Sequence, residues 1–452
     1  MIKTIYLSNI LEGNYRSYQS LPSKKRIYWN RYDFMEANRA LFYNNDHKAI
    51  ITSYPINPQH FSNSLKIMNW KQVINLTPKQ PSASICEDCL ADKQLYLKLI
   101  ELIKKNPGIG LIPYRATLEF YKLIFHLAKK GLNFTTPETV SQKQEFIVNY
   151  CHCKRGFRHL WSKALGGLNL NINIPQGFIC GNKEEAIEAG WWFQQQNRSF
   201  IIKYNKGTQG IGLIFNYTNK LVKDKNKFIA HFRSILTDKI WHEPCIIVEE
   251  LIKADKKRLG GSPSIEFYIN QSGQVIPSYA SEQLLADDKK TFMGVYIHPK
   301  LIKHQHIQTA FKAGKIFGQE LSRLGYRGYY DVDLVISPEN KIYAVESNLR
   351  RTGGTHIHEA ACSLLGKNYL EKFHVIGEDV VLPEKLELDY QKCLNLLKGL
   401  EYHKQNQFGF IFCNPDMLAV NIANLIFIAK TRNQVFNLKK EVEKRLNQPL
   451  VN

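Results

Sequence analysis

No stretch of the 452 residues is apolar for long enough to span a bilayer, so a membrane-embedded protein is not expected. The opening MIKTIYLSNI reaches polar residues too soon for a secretory signal. There is no long Lys/Arg block, no zinc-finger spacing and no RNA-binding aromatic signature. Yet the formal charge is +21, from 61 Lys and Arg against 40 Asp and Glu. Basic charge scattered in this way suits a protein that handles anionic small molecules, and neither a nucleic-acid nor a membrane partner is expected. Nine cysteines, an odd number without a secretory signal, point to reduced thiols in a cytoplasm. Cys86-x-x-Cys89 and Cys151-His152-Cys153 contain metal-ligand types. They are far apart in the chain, and the second is too tight for a zinc knuckle, so free thiols are expected.

What is present reads as an α/β chain. Over residues 1–150, strands at Ile2–Leu7, Lys48–Thr52, Val73–Leu76 and Ile109–Ile112 alternate with helices. One helix carries an apolar face of Leu95, Leu99, Leu102 and Ile103; another runs through Leu118–Leu127 to a closing Gly131. That alternation implies a mainly parallel sheet. No phosphate-binding glycine fingerprint occurs here, which points to a supporting or acceptor-side role. Further on, Asn182 precedes a helix with Glu184 and Glu185 in its first turn. The strand Phe200–Lys203 then enters the loop Tyr204–Gly212, and Leu213–Phe215 returns. A Rossmann or Walker loop would open a helix; this one joins two strands. With Gly207, Gly210 and Gly212 it has the freedom to fold over a triphosphate, next to the ammonium of Lys203. A tight β-turn would read the same way. The apolar strand Cys245–Ile252 carries Glu249 and Glu250 and is followed by Asp255. It offers either an edge for a base and a ribose, or merely a solvated strand end. Residues 376–452 read as a small tail unit, with a strand at Gly409–Phe412 and a basic last helix whose apolar face is Val435, Leu438, Val442 and Leu446.

The densest chemistry lies in Gly328–His358. Strands Asp331–Ile336 and Ile342–Val345 flank Ser337-Pro338-Glu339-Asn340-Lys341, which has turn chemistry. Asp333 stands on one strand. Glu346 and Asn348 follow the other, two apart and so on one side of an extended chain. An all-oxygen cluster of this kind suits Mg²⁺. Arg350 and Arg351 add positive charge, and Thr352-Gly353-Gly354-Thr355 would let backbone N–H groups approach a ligand. An amphipathic hairpin with polar edges would show the same residues.

The order of these parts resembles the ATP-grasp superfamily: lysines at 163 and 203, a glycine hairpin, an acidic hinge, Asp333, then Glu346-x-Asn348-x-Arg350. The likeness covers roughly residues 155–375. The separation of Asp333 and Glu346 by 13 positions (333 to 346) is similar to the D-alanine–D-alanine ligase branch. The Arg-Thr-Gly-Gly-Thr-His continuation resembles pheganomycin-type peptide ligases. The resemblance implies a pre-ATP-grasp α/β domain (1–150), an ATP-grasp domain of two α+β subdomains clamping ATP (151–375) and a small C-terminal subdomain (376–452). It implies ATP and Mg²⁺, usually two ions, held by Asp333, Glu346 and Asn348. Lys163 and Lys203 would contact phosphates and adenine, with Gly207, Gly210 and Gly212 as the lid. Glu249, Glu250 and Ile252 would form the adenine hinge, and Asp255 would meet the ribose. Arg350 would steady the transferred phosphate, Arg351 an additional carboxylate, and His356 or His358 would accept the amine proton or cap a helix. The implied partners are ATP and small carboxylate and amine substrates, with a homodimer compatible. The implied activity is peptide or amide ligation through an acylphosphate; a kinase on the same nucleotide site, or a binding module without turnover, would share these motifs. Two departures stand out: a longer, more basic loop at Lys256–Ser262, and the doubled arginine.

Overall fold

Short apolar runs form the strands, and the amount of cover each sheet receives decides how continuous those runs are. The computed structural model describes residues 1–44, 46–207, 210–218, 222, 224–288, 291–383 and 388–447. Its first sheet holds β1 (Thr4–Leu7), β2 (Lys48–Ile51), β3 (Val73–Leu76), β4 (Ile109–Pro113) and β5 (Phe134–Thr135), in the order β3-β2-β1-β4-β5. Every pairing is parallel. Helices cover both faces, so the central strands are apolar without alternation: Ile5, Ala49 and Leu111 pack on one side, Tyr6, Ile50 and Ile112 on the other. This is the α/β unit expected for residues 1–150. Between β1 and β2 lie the helix Ser23–Glu36 and the 3₁₀ turn Ala37–Phe42, a stretch without clear periodicity.

The second sheet is small and antiparallel: β6 (Gly177–Cys180), β7 (Phe200–Tyr204), β8 (Leu213–Asn216) and β9 (Ile246–Glu250), ordered β6-β9-β7-β8. Asn182 caps the following helix by accepting from the Glu185 N–H. The third sheet has eight strands: β10 (Pro263–Ile269), β11 (Val275–Leu285), β12 (Phe292–Ile297), β13 (Gly328–Ile336), β14 (Ile342–Glu346), β15 (His374–Val381), β16 (Gly409–Asn414) and β17 (Ile422–Ala429). Its order is β14-β13-β10-β11-β12-β15-β17-β16, all antiparallel. The residues read as a tail unit therefore share this sheet: β15 starts at His374 and pairs with β12, so a boundary at 375/376 would cut a strand. The apolar run near Met417–Ala429 is a 3₁₀ turn followed by β17. Among the described residues no helix is long and apolar enough to cross a membrane.

The first and third sheets meet through one continuous core, in which Tyr6, Ile50 and Ile112 join Ile357, Ala360, Val375 and Ile426. Arg351 lies at this junction with 3% of its surface exposed. It pairs with Glu138 at 2.7 Å and Glu359 at 2.8 Å, and its guanidinium lies 4.6–5.2 Å from the ring centroids of Tyr6, Tyr43 and Tyr329. Two carboxylates and three ring faces leave it no free edge for a substrate, which corrects the catalytic role expected of it. Removing one partner of a buried ion cluster strands the others. Arg351→Met is expected to lower the stability of the whole chain by about 3–5 kcal/mol in denaturant titration, whereas Lys163→Ala on the surface should stay within about 0.5 kcal/mol of the parent.

Candidate active site

β13 and β14 pair so that Asp333 lies directly opposite Glu346, with a register shift just after Asp333. On the same face of β13, two residues earlier, Asp331 accepts from the Asn348 backbone N–H at 2.5 Å and from its Nδ2 at 3.1 Å. Asp331 thereby orients Asn348. The Asn348 Oδ1 accepts from Arg350 Nη2 at 3.2 Å, and Gln283 Nε2 donates to Asp333 Oδ1 at 2.5 Å. Burial, with Asp331 and Glu346 alongside, pushes the Asp333 carboxyl well above the usual carboxylate range. Burial likewise raises Asp331 to about 7.

These residues line one cavity of about 430 Å³ that also touches Gly210 of the glycine hairpin, Glu36 and Arg39 of the N-terminal domain, and Asp379 of β15. All three sheets thus contribute to it. Lys154 links hairpin and acids: its Nζ donates to the Gly207 carbonyl at 2.9 Å and to Glu346 Oε1 at 3.1 Å, and its side chain is 5% exposed. Gly210 and Gly212 have positive φ, and an added Cβ at Gly212 would run into Tyr204, so the loop from β7 to β8 needs both glycines. Thr208 and Gln209 of this loop lie outside the described residues. Gly353 and Gly354 also line the cavity; there an added Cβ would collide with the Phe292 and Tyr279 rings, so their smallness serves packing.

Several expected residues are placed elsewhere. Lys163 sits in the last turn of the helix Lys154–Leu165, not beside a strand; it is half-exposed and pairs with Glu320 at 2.7 Å. The lysine that reaches the acids is Lys154, at the other end of that helix. A cation in a helix's first turn opposes the helix dipole, and with no acid there that mismatch was the available signal. Lys203 is nearly buried and pairs with Glu249, which Arg158 also holds at 2.8 Å. Glu250 pairs with Arg198 and accepts from the Gln176 N–H at 2.9 Å. Neither glutamate is a bare strand end; both are charge-compensated, and the chain leaves the sheet at Leu251 and Ile252. Asp255 accepts from the Lys257 N–H at 3.1 Å and pairs with Arg258 at 3.0 Å, so it closes its own turn and does not line the cavity. In the helix Thr355–Leu365, His356 is buried and His358 half-buried. His358 stacks on Tyr279 and contacts the Tyr369 hydroxyl at 2.8 Å, and burial pushes it down to about 4. His356, 2% exposed, is likewise kept neutral. Neither histidine lines the cavity, so neither takes the proton-accepting role expected there.

The residues fit a hard divalent ion. Asp333, Glu346 and the Asn348 amide supply only oxygen, and the burial and neighbouring acids that together raise Asp333 are what a cation would offset. Among the described residues no three His, Cys, Asp or Glu side chains group closely enough to hold a metal. A two-carboxylate set is complete for Mg²⁺ only when substrate phosphates and water join it. The nine cysteines are free thiols; Cys86 and Cys89 lie in the core of the first sheet, while Cys151 belongs to the core beside β10 and β13.

No protein-family model matches the chain. A 49-residue stretch is 45% identical to the L-propargylglycine–L-glutamate ligase of Streptantibioticus cattleyicolor, spanning 11% of this chain and a tenth of that relative. Among solved structures, biotin carboxylase from Campylobacter jejuni, in its β-γ-ATP complex, superposes over 99% of this chain and 92% of its own, with TM-score 0.55 and 12% identity. N5-carboxyaminoimidazole synthetase from Staphylococcus aureus, complexed with ADP, covers 98% and 97% with TM-score 0.50 and 11% identity. The fold is ATP-grasp. Its parallel α/β sheet and two antiparallel sheets with helices follow the expected fold class.

Under the cavity, Glu266 accepts from Thr352, from Thr355 at 3.0 Å and from Tyr279 at 3.2 Å; burial still raises it to about 7. The folded chain keeps a proton that the unfolded chain loses near 4.5. Stability from Glu266 is therefore full below that pH and is lost as pH rises to about 7. Comparing urea unfolding of the parent and Glu266→Gln, the parent should lose about 1–3 kcal/mol relative to the variant between pH 4.5 and 7.

Proposed function

We propose that the chain is an ATP-dependent ligase joining a carboxylate to an amine through an acylphosphate, with a peptide or related amide as product. The observation that carries this is the facing pair Asp333 and Glu346, with Asn348 and Arg350, in a cavity reached by a glycine hairpin. The 45% identity with an amino-acid ligase over 49 residues supports it, as does the Asp333–Glu346 separation for the D-alanine–D-alanine ligase-like branch.

A free carboxylate is a poor electrophile. Attack of its oxygen on the γ-phosphorus of ATP breaks the bond to the bridging oxygen and releases ADP, leaving an acylphosphate. The amine nitrogen then attacks the acyl carbon, the C–O bond to phosphate breaks, and phosphate leaves. With neither histidine lining the cavity, the departing phosphate would be the acceptor for the amine proton. Asp333, Glu346 and Asn348 would hold the ion, which when bound offsets negative charge on the phosphates. Arg350 would orient the transferring group through its guanidinium. Lys154, which bridges the hairpin and Glu346, and Lys203, at the entry to the hairpin, would serve as the two phosphate-contacting lysines, Lys154 in place of Lys163. Gly207, Gly210 and Gly212 would donate N–H groups and close the site to water, which would otherwise hydrolyse the acylphosphate. Glu249 and the exit at Ile252 would border the base, with Arg158 holding Glu249 in place. A kinase would use the same nucleotide side, so the products decide.

Purified protein with ATP, Mg²⁺ and pools of amino acids and peptides should release phosphate only when acid and amine are both present, with a new mass lighter than their sum by one water. ADP without free phosphate, alongside a phosphorylated product, would establish the kinase. Glu346→Gln should abolish turnover while unfolding as the parent does. Lys154→Ala should cost about 10²-fold or more in kcat/KM, and Lys163→Ala should cost almost nothing.

A further inference from the structure

One wall of the cavity comes from outside the ATP-grasp strands and carries charges that the proposed chemistry does not use. Arg39 follows the helix Ser23–Glu36, and Tyr114 follows β4. The Tyr114 ring centroid lies 5.5 Å from the Arg39 guanidinium and 5.4 Å from that of Arg350, and all three residues line the cavity. Arg39 gives one N–H to Glu36, yet the Nε–H of Arg39 is buried without a partner, as is that of Arg350. Buried donors left unpaired mark a place where an acceptor is missing. The same cavity reaches Asp379. Its oxygens accept from the Tyr32 hydroxyl and from Asn424 Nδ2 at 2.5 Å, both neutral donors. Among the described residues no Lys, Arg or His stands within ion-pair distance of it. The rings of Trp29 and Tyr32, with centroids 5.4 Å apart, border the same space. Arg39 acts on Asp379 from beyond ion-pair distance, and a carboxylate with no ion-pair partner of its own beside aromatic faces is suited to an ammonium.

We propose that the cavity selects a substrate bearing both a carboxylate and an ammonium, an amino acid or short peptide, with its carboxylate on the free N–H edge of Arg39 and its ammonium on Asp379. This rests on the ligase reading and names its substrate class. Arg39 thus takes the additional-carboxylate role that adjacency to Arg350 suggested for Arg351.

Calorimetric titration of the full chain, with and without a non-hydrolysable ATP analogue and Mg²⁺, tests it. The probes are L-phenylalanine, L-leucine and the dipeptides L-Phe-L-Phe and L-Leu-L-Leu, each against its des-amino and des-carboxy analogues. At least one doubly charged probe should bind at least about tenfold tighter than both analogues, because each analogue leaves either the buried Arg39 Nε–H or the Asp379 carboxylate without its partner. Asp379→Asn should erase only the margin over the des-amino analogue. The double variant Glu36→Gln with Arg39→Met, which removes the pair together, should erase only the margin over the des-carboxy analogue. Tyr32→Phe should reduce the ammonium margin, which keeps the test decisive if Asp379→Asn does not fold. No margin for any probe, or margins untouched by every folded variant, would overturn the proposal. Intact zwitterion binding without phosphate release from any acid–amine pair would instead reject the ligase reading and leave this seat standing.

Discussion

A single positive charge, sealed from water between two domains, underlies the geometry of the cavity. Arg351 is satisfied by Glu138 of the N-terminal domain and by Glu359 of the helix behind the glycine-rich turn, with tyrosine rings on its faces. Burying an ion cluster is costly unless every member is paired. Sliding one domain over the other would unpair several members at once, so the junction tolerates little displacement. Arg350, one residue earlier, inherits that rigidity: its Nη1 donates to the Arg351 carbonyl at 3.1 Å.

On that fixed junction each sheet contributes a different chemistry. The third sheet supplies oxygens crowded enough to repel one another. The second supplies a hairpin in which Gly210 and Gly212 adopt positive φ, tied to the acids through Lys154. The first, through the segment between β1 and β2 and the exit of β4, supplies Arg39 and Tyr114. Burial, with Asp331 and Glu346 alongside, holds the Asp333 carboxyl well above the usual carboxylate range, and a cation bound there would oppose that.

Much of the central chemistry was legible because strands have period two. Asp331 and Asp333, like Glu346 and Asn348, share a face by spacing alone. That rule stops at Glu346: beyond the end of β14 the chain bends at Leu349 and Arg350, and Arg350 meets the cavity while Arg351 enters the junction between the first and third sheets. Lys163 was misplaced because the amphipathic helix Lys154–Leu165 went unrecognised, and the relevant lysine lies at its first residue. Asp255 reads as a ligand by proximity, but a local arginine captures it. The wall of Tyr32, Glu36 and Arg39 was invisible because its helix has weak amphipathic periodicity and its contacts come from distant sequence. The sharing of one sheet by the clamp and the tail depended on the β12–β15 pairing, which short-range pattern does not encode.

That shared sheet sets a gauge. β13, with Asp333, and β15, with Asp379, are rungs of one hydrogen-bonded ladder joined through β10, β11 and β12. The glycine hairpin belongs to a separate sheet. The spacing of the two aspartates is therefore set by one sheet alone, while the position of the hairpin is set by another.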